Sequence, residues 1–422
     1  MSKRLFAISF AVAAGFLLAQ FAARQLGAPS WWPNRDRDRN VRYFREVLET
    51  VKQYYVESDK ADYDQLTRAA LRGMLSELDP HSEYLDAEAF SATEEELNNE
   101  FSGVGIQVEE RDGHIVVITP IADTPAERAG IRRGDRLVAV DGKPINEPSI
   151  EKVVRLIRGK VGTELKLTLF RPSQDREITM ALKRQRIRLE SVRNATLQSD
   201  GLGYLQITQF SERTGDEFST ALKEMEKNGL RALVLDLRNN PGGLLDAAVE
   251  VSDAFFDRGE LVAYTQGRTA DSRVEFRADG NHGHRTYPIA ILVNGGTASA
   301  AEIVSGAMKD TGRAVIVGER TFGKGSVQSI IELRQGEGIR LTTARYYTPS
   351  GITIHEQGIA PHVEIEMSDD DEARLRVQQT RADLSASAEF AERFGFAPIE
   401  DVQRAAAEEV LRGVLAQRSP AK

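Results

Sequence analysis

The sequence has no cysteine. That absence excludes disulfides, cysteine nucleophiles and thiolate metal sites. Histidine is scarce, six in 422 residues: His81, His114, His282, His284, His355 and His362. None stands in a strand-end turn beside a suitable acid, so a Ser-His-Asp triad is poorly motivated. His282 and His284 share the polar loop GNHGHR, which reads more simply as a solvated pair than as a metal site. Excess positive charge is also lacking. A formal net charge of −9 argues against a sustained basic nucleic-acid surface. A phosphate-binding loop is missing too: GERTFGKGS places Gly318 as the first glycine should be, but Gly325 follows Lys324 where Ser or Thr is needed. There is no internal repeat and no long low-complexity segment.

What is present begins at the N-terminus. Lys3 and Arg4 precede an apolar run from Leu5 to Leu18, the pattern of an export signal. Phe21 disturbs the small-x-small cleavage pattern ahead of Ala22 and Ala23, and the run approaches the length of a membrane helix. Residues 1–28 are therefore expected to be a signal peptide or an N-terminal membrane anchor, followed by a polar linker over 29–40. From 41 to 100 apolar residues recur at three and four spacing (Val41, Phe44, Val47, Leu48, Val51), which predicts a small helical domain interrupted at Pro80. From Phe101 the period becomes two. GVGIQVEERDGHIVVITPI predicts a hairpin turning at Asp112-Gly113, and residues 101–185 form a compact module of strands with two helices. Over 186–367 nearly continuous apolar strands alternate with helices, which predicts a sheet covered on both faces. Residues 368–422 are charged and helical, with Val402, Ala406, Val410 and Val414, together with Leu411 and Leu415, along one helix face.

Three glycine-rich turns follow apolar strands in the α/β region. The first, DLRNNPGG (236–243), precedes a helix, so its backbone N–H groups can face an anion. NGGTASAAEI (294–303) follows YPIAILV and offers two hydroxyls, Thr297 and Ser299. Ser299 also reads as a plain helix cap, because Glu302 completes an S-x-x-E capping box. The third, GERTFGKGSVQ (318–328), holds Lys324 between Gly323 and Gly325. A lysine buried where adjacent strand ends meet loses its preference for the charged form and can accept a hydroxyl proton. Ser–Lys is an established variant of triad logic.

Taken with LDPHSEYL and GVGI, these motifs resemble the carboxyl-terminal processing, or tail-specific, serine peptidases over about residues 41–365. The resemblance implies a mixed α/β and α+β multidomain chain. Its parts would be a ClpP/crotonase-like catalytic core, an inserted PDZ domain, and helical N- and C-terminal regions. It implies that Ser299 is the nucleophile and Lys324, 25 residues later, the general base, with Gln328 orienting the lysine. The amides of Ala300, Gly242 and Gly243 would form the oxyanion hole, and Asp310 would play a supporting part. In the PDZ module, Gly103, Val104, Gly105 and Ile106 would capture a substrate's terminal carboxylate while the following strand pairs with its extended tail. No metal or organic cofactor is implied. The implied partners are protein or peptide substrates taken by their C-termini, an adaptor protein and further copies of the chain. The implied location is the periplasm, anchored to the inner membrane through the N-terminal segment. His362 and His355 depart from the family's pattern, outside the dyad. The rival readings are a peptide-binding PDZ scaffold with a silent core, and a protease inactive until an adaptor engages it.

Overall fold

The computed structural model describes residues 34–146, 149–280, 285–381 and 388–418. The expected signal or anchor segment and the His282–His284 pair lie outside them. The chain divides into two compact units, Met1–Leu78 and Asp79–Lys422. The described part of the first is a pair of helices, α1 (Arg35–Tyr54) and α2 (Tyr63–Ser76). Each starts at an Asn or Asp side chain that accepts a first-turn amide, Asn34 for α1 and Asp62 for α2. Tyr63 donates to Glu49 at 2.6 Å to join them.

The second unit opens with β1 (Glu83–Leu85), α3 (Ala87–Leu97) and β2 (Glu100–Gly103). A small antiparallel module follows: β3 (Ile106–Arg111), β4 (His114–Pro120), α4 (Pro125–Arg128), β5 (Arg136–Val140), β6 (Lys143–Pro144), α5 (Ile150–Ile157), β7 (Glu164–Arg171) and β8 (Arg176–Lys183). Its sheet runs β3-β4-β5-β7-β8, with β6 on β5. Alternate residues Leu165, Leu167 and Leu169 turn inward to meet Val153 and Ile157 of α5. A buried Arg171–Asp135 pair at 2.7 Å braces one end. Strand β9 (Gln185–Arg188) returns to pair with β2, so the chain enters and leaves the module side by side.

The α/β core comprises β10 (Val192–Leu197), β11 (Leu202–Ile207), α6 (Thr214–Lys227), β12 (Ala232–Asp236), α7 (Leu245–Asp253), β13 (Leu261–Gly267), β14 (Arg273–Arg277), β15 (Ile289–Val293), α8 (Ala300–Asp310), β16 (Val315–Gly318), β17 (Ser326–Glu332), β18 (Gly338–Tyr347) and β19 (Val363–Glu364). Among the described residues three helices follow: α9 (Asp369–Thr380), α10 (Ala388–Phe394) and α11 (Val402–Arg418). One sheet runs β10-β11-β12-β15-β16-β19, parallel from β11 onward. Its central strands, β12 and β15, are buried along their whole length and almost entirely apolar because both faces are covered, whereas the edge strand β10 is largely exposed. Leu205, Leu233, Leu235 and Ile291 face the helices α6, α7 and α8, while Tyr204, Val234, Ala290 and Leu292 face Ala407 and Leu411 of α11. The buried positions of α11 are Gln403, Ala407 and Leu411; of the expected face, Leu411 is buried, Ala406 and Leu415 pack partly buried against the same cluster, and Val402 is exposed. Gln403 is drawn inward because its amide donates to the Ile365 carbonyl at 2.8 Å.

The expected ClpP/crotonase-like core is not what the chain builds. Strands β13, β14, β17 and β18 do not extend the parallel sheet. They join β1 in a separate five-stranded antiparallel sheet, ordered β1-β18-β13-β14 with β17 on β18. Val262, Ala263 and Tyr346 from this second sheet pack into the core shared by α7 and α8.

Candidate active site

Strands β12, β15 and β16 are parallel neighbours, so the turns after them emerge together at one sheet edge. Hydrogen bonds lace the turns into one structure. The Asn294 carbonyl oxygen Oδ1 accepts from the Asn239 amide at 2.8 Å and from the Gly296 amide at 3.1 Å. The Ala298 amide donates to the Asn240 carbonyl at 2.9 Å. Thr297, fully buried, donates through its hydroxyl to the Leu237 carbonyl at 2.8 Å and accepts from the Asn294 amide. That hydroxyl is consumed in fastening two turns.

Ser299 is placed differently. Its backbone sits at φ 55°, ψ −118°, a left-handed setting that costs a side-chain-bearing residue about 1–3 kcal/mol. A cap residue ordinarily has extended backbone, and Ser299 does not. Glu302 accepts from the Ser299 amide at 2.8 Å, which ties the start of the helix to its third residue. This is the geometry of a nucleophile elbow, a sharp strand-to-helix turn that lifts an oxygen out of the backbone. Gly242 makes it possible. Its φ is 99°, and a Cβ there would stand 2.7 Å from Ser299 Cβ and 2.9 Å from the Ala300 nitrogen.

Ser299, Lys324, Gln328, Gly242 and Gly243 all line one cavity of about 200 Å³, whose far wall carries Thr93, Glu96, Arg340 and Tyr346. Lys324 is half-buried. Burial first, and the Arg340 guanidinium second, hold its amine below the usual lysine range, while Glu96 and Glu302 act in the opposite sense. Among the described residues no hydrogen bond joins the Ser299 hydroxyl to Lys324 Nζ, and Gln328 Nε2 donates to Ser326 Oγ at 2.8 Å and Thr342 Oγ1 at 3.3 Å. The Gly242 amide donates to Asn240 Oδ1 at 2.9 Å and is spent there. The amides of Gly243 and Ala300 have no acceptor among the described residues. Asp310 lies at the opposite end of α8, roughly 15 Å along the helix, where it accepts from the Ser350 amide at 3.0 Å. Gly103, Val104, Gly105 and Ile106 line a separate apolar cavity of about 220 Å³, with Val154 and Ile157 of α5 as its other wall.

The residue that sequence reasoning undervalued is Glu302. The S-x-x-E spacing exposed it only as a cap. Completely buried, its carboxylate accepts from the Ser299 and Lys324 amides through Oε2 and from the Gly323 amide and Thr321 hydroxyl through Oε1. One carboxylate therefore fixes the serine turn and the lysine turn to each other. Burial raises its pKa, partly offset by these four donors. A second buried charge supports the glycine turn. Arg238 bonds Asp236 within its own strand end and reaches Asp401 Oδ1 at 2.8 Å and Oδ2 at 2.7 Å, tying that turn to the start of α11. Among the described residues no cluster of three or more His, Asp or Glu is placed to hold a metal ion.

A serine on a strained elbow, a lysine held below its usual range and a glycine turn around one cavity are the arrangement of a serine-type hydrolase. The profile of Peptidase family S41 matches residues 201–365, and that of the PDZ domain matches residues 116–171. The chain is 40% identical over 365 residues to the carboxy-terminal-processing protease of Bartonella bacilliformis, covering 85% of this chain and 82% of that protein. It is 39% identical over 325 residues to the carboxy-terminal processing protease CtpA of Bacillus subtilis, covering 77% of this chain and 68% of the other. The chain belongs to the carboxy-terminal processing proteases of Peptidase family S41, and it is a serine-type endopeptidase that carries a PDZ domain. Among solved structures, a putative S41 protease from Bacteroides fragilis is similar in fold at a TM-score of 0.51 and 15% identity, over 93% of this chain and all of the other. That likeness puts the core with the S41 peptidases rather than with the expected ClpP/crotonase-like fold.

Proposed function

We propose that Ser299 is the nucleophile and Lys324 its general base in an exported endopeptidase that cleaves protein substrates near their C-termini. The observation that carries this reading is the convergence of Ser299, Lys324 and the Gly242–Gly243 turn on one cavity. Lys324 Nζ takes the hydroxyl proton as Ser299 Oγ attacks the scissile carbonyl. The resulting oxyanion is received by the Ala300 and Gly243 amides, which spend no bond elsewhere among the described residues. The Lys324 ammonium then protonates the leaving amine, and water attacks the acyl-enzyme with neutral Lys324 again as base. The substrate tail lies along β3 with its carboxylate at Gly103–Ile106, held by backbone rather than by a charged pocket. Gln328 orients the lysine, and Asp310 supports the site from a distance by fixing the Ser350 loop. The N-terminal segment directs the chain to the periplasm and holds it at the inner membrane. Among the described residues no helix is long and apolar enough to cross a membrane. Cleavage of a tailed peptide by the purified protein should be abolished in Ser299→Ala and Lys324→Ala. Full activity in both variants would overturn the dyad.

A second reading is favoured by the lack of a Ser299–Lys324 hydrogen bond among the described residues and by the engagement of Gln328 with Ser326 and Thr342. In this reading the resting enzyme is unpoised, and a bound tail or an adaptor closes the dyad. Turnover of an untailed reporter peptide should then rise when a separate C-terminal peptide fills the PDZ cavity. No stimulation, with full basal turnover, would favour a constitutively active enzyme.

A further inference from the structure

Arg340 has no part in the reaction as written, yet it stands in the wall of the reaction cavity with Lys324. Its placement is built rather than incidental. On β18 it pairs with Glu83 of β1 on one side and Ile330 of β17 on the other. The guanidinium is pinned from two elements: Nη1 lies 3.0 Å from Glu83 Oε1, and Nη2 donates to the buried Thr93 hydroxyl of α3 at 3.2 Å. Glu83 is half-exposed, so solvent screens its countercharge. One helical turn beyond Thr93, Glu96 also lines the cavity. Helix α3 thus supplies both the clamp for the cation and an acid that opposes it.

We infer that Arg340 is a positioning residue for the reaction, a guanidinium fixed in the cavity wall so that its charge opposes a proton on Lys324. The charged groups that act on Lys324 are Arg340 from β18, Glu96 from α3 and Glu302 from α8. Tyr346 lines the same cavity, but burial pushes its phenol up to about 12, so it stays neutral. Of the three charges Arg340 alone favours the neutral amine, and it acts in the same sense as burial. A cation beside a half-buried lysine is a recognised way of freeing the base. An isolated, half-exposed Arg–Glu pair would contribute little to folding, so structure alone gives little reason to hold a guanidinium here.

The inference rests on Lys324 being the base, and one experiment separates the two claims. The pH dependence of kcat/KM is measured for the full chain, Arg340→Gln, Arg340→Lys and Glu83→Gln, with Lys324→Ala alongside. Arg340→Gln should move the acid limb upward by about half a pH unit, which is about a threefold loss at a pH on that limb. Arg340→Lys should return the limb to the parent position, and Glu83→Gln should move it downward by releasing the guanidinium from its countercharge. The inference is overturned by an unmoved limb in Arg340→Gln, or by a limb in Arg340→Lys displaced as far as in Arg340→Gln. If Arg340→Gln fails to fold in a thermal melt, an unmoved limb in Glu83→Gln overturns it instead. Activity surviving in Lys324→Ala would refute the base itself, and an unmoved limb with Lys324→Ala inactive refutes only the role of Arg340.

Discussion

Replacing Glu302 with Gln tests how one buried carboxylate organises the site. Four donors converge on it: the Ser299 amide at 2.8 Å, the Lys324 amide at 2.9 Å, the Gly323 amide at 2.7 Å and the Thr321 hydroxyl at 2.5 Å. Gln keeps one accepting oxygen and turns an NH2 group toward the donors that the other oxygen served. Two hydrogen bonds to a charged acceptor are lost, at about 1.5–3 kcal/mol each, against relief from burying a charge. The expected net loss is about 2–4 kcal/mol, read as a lower urea midpoint at unchanged slope. The two turns also lose their common tether, and misplacement by an ångström costs about 10²-fold in rate. A pH arm sharpens the test. Because burial raises the folded-state pKa of Glu302, the native protein binds the proton more tightly than the unfolded chain does. Stability therefore falls as pH rises from about 4.3, the unfolded value, through the raised folded value. Glu302→Gln should remove that falling segment. A parent-like urea midpoint together with kcat/KM within about twofold of parent would refute the reasoning.

Gly242→Ala places a methyl group 2.7 Å from Ser299 Cβ and 2.8 Å from the Ala298 carbonyl, at a φ of 99°. It should cost about 1–3 kcal/mol in backbone strain alone and lower kcat more than it changes KM. A stable variant with full kcat would show that the turn has room the geometry denies. Asp401→Asn leaves one accepting oxygen at that position where Arg238 Nη1 and Nη2 had two, at 2.8 and 2.7 Å, while Gln403 Oε1 still accepts from Nη1 at 3.1 Å. Urea unfolding should show a loss of about 1.5–3 kcal/mol, and limited proteolysis should cut first near the start of α11. An unchanged midpoint would mean that Asp236 and Gln403 satisfy the buried guanidinium without a carboxylate at 401.

The turns were legible because each local signal was strong. Apolar strands ending at NPGG, NGGTAS and TFGKGS name both the strand ends and the glycine positions that backbone crowding demands. Periodicity could not show which strands share a sheet. The pairing of Glu83 with Arg340 spans more than half the chain, and nothing in EYL or GIRLTTARYY announces it. For that reason the second sheet, and with it the far wall of the cavity, was not anticipated. Glu302 was visible but misjudged, because a capping spacing describes one helix and says nothing of the Gly323 and Lys324 amides brought in from another turn. The Gly242 amide was expected to be free, and only the conformation of Asn240 reveals that it is taken. The apolar face of the last helix was legible, but periodicity could not name the sheet that it covers: Ala407 and Leu411 are fully buried against β11, β12 and β15.

That last feature has a consequence for the order in which the protein is made. The ribosome delivers every strand of the parallel sheet before it delivers residues 401–411. Until then one side of the sheet, including Val234, Ala290 and Leu292, has nothing of its own to cover it, and Arg238 lacks its distant partner. A nascent chain can thus assemble both peptidase turns and still present a greasy flank to chaperones and quality-control proteases. The same dependence makes trimming at the tail a simple means of disposal, because losing the last helix uncovers one face of the parallel sheet.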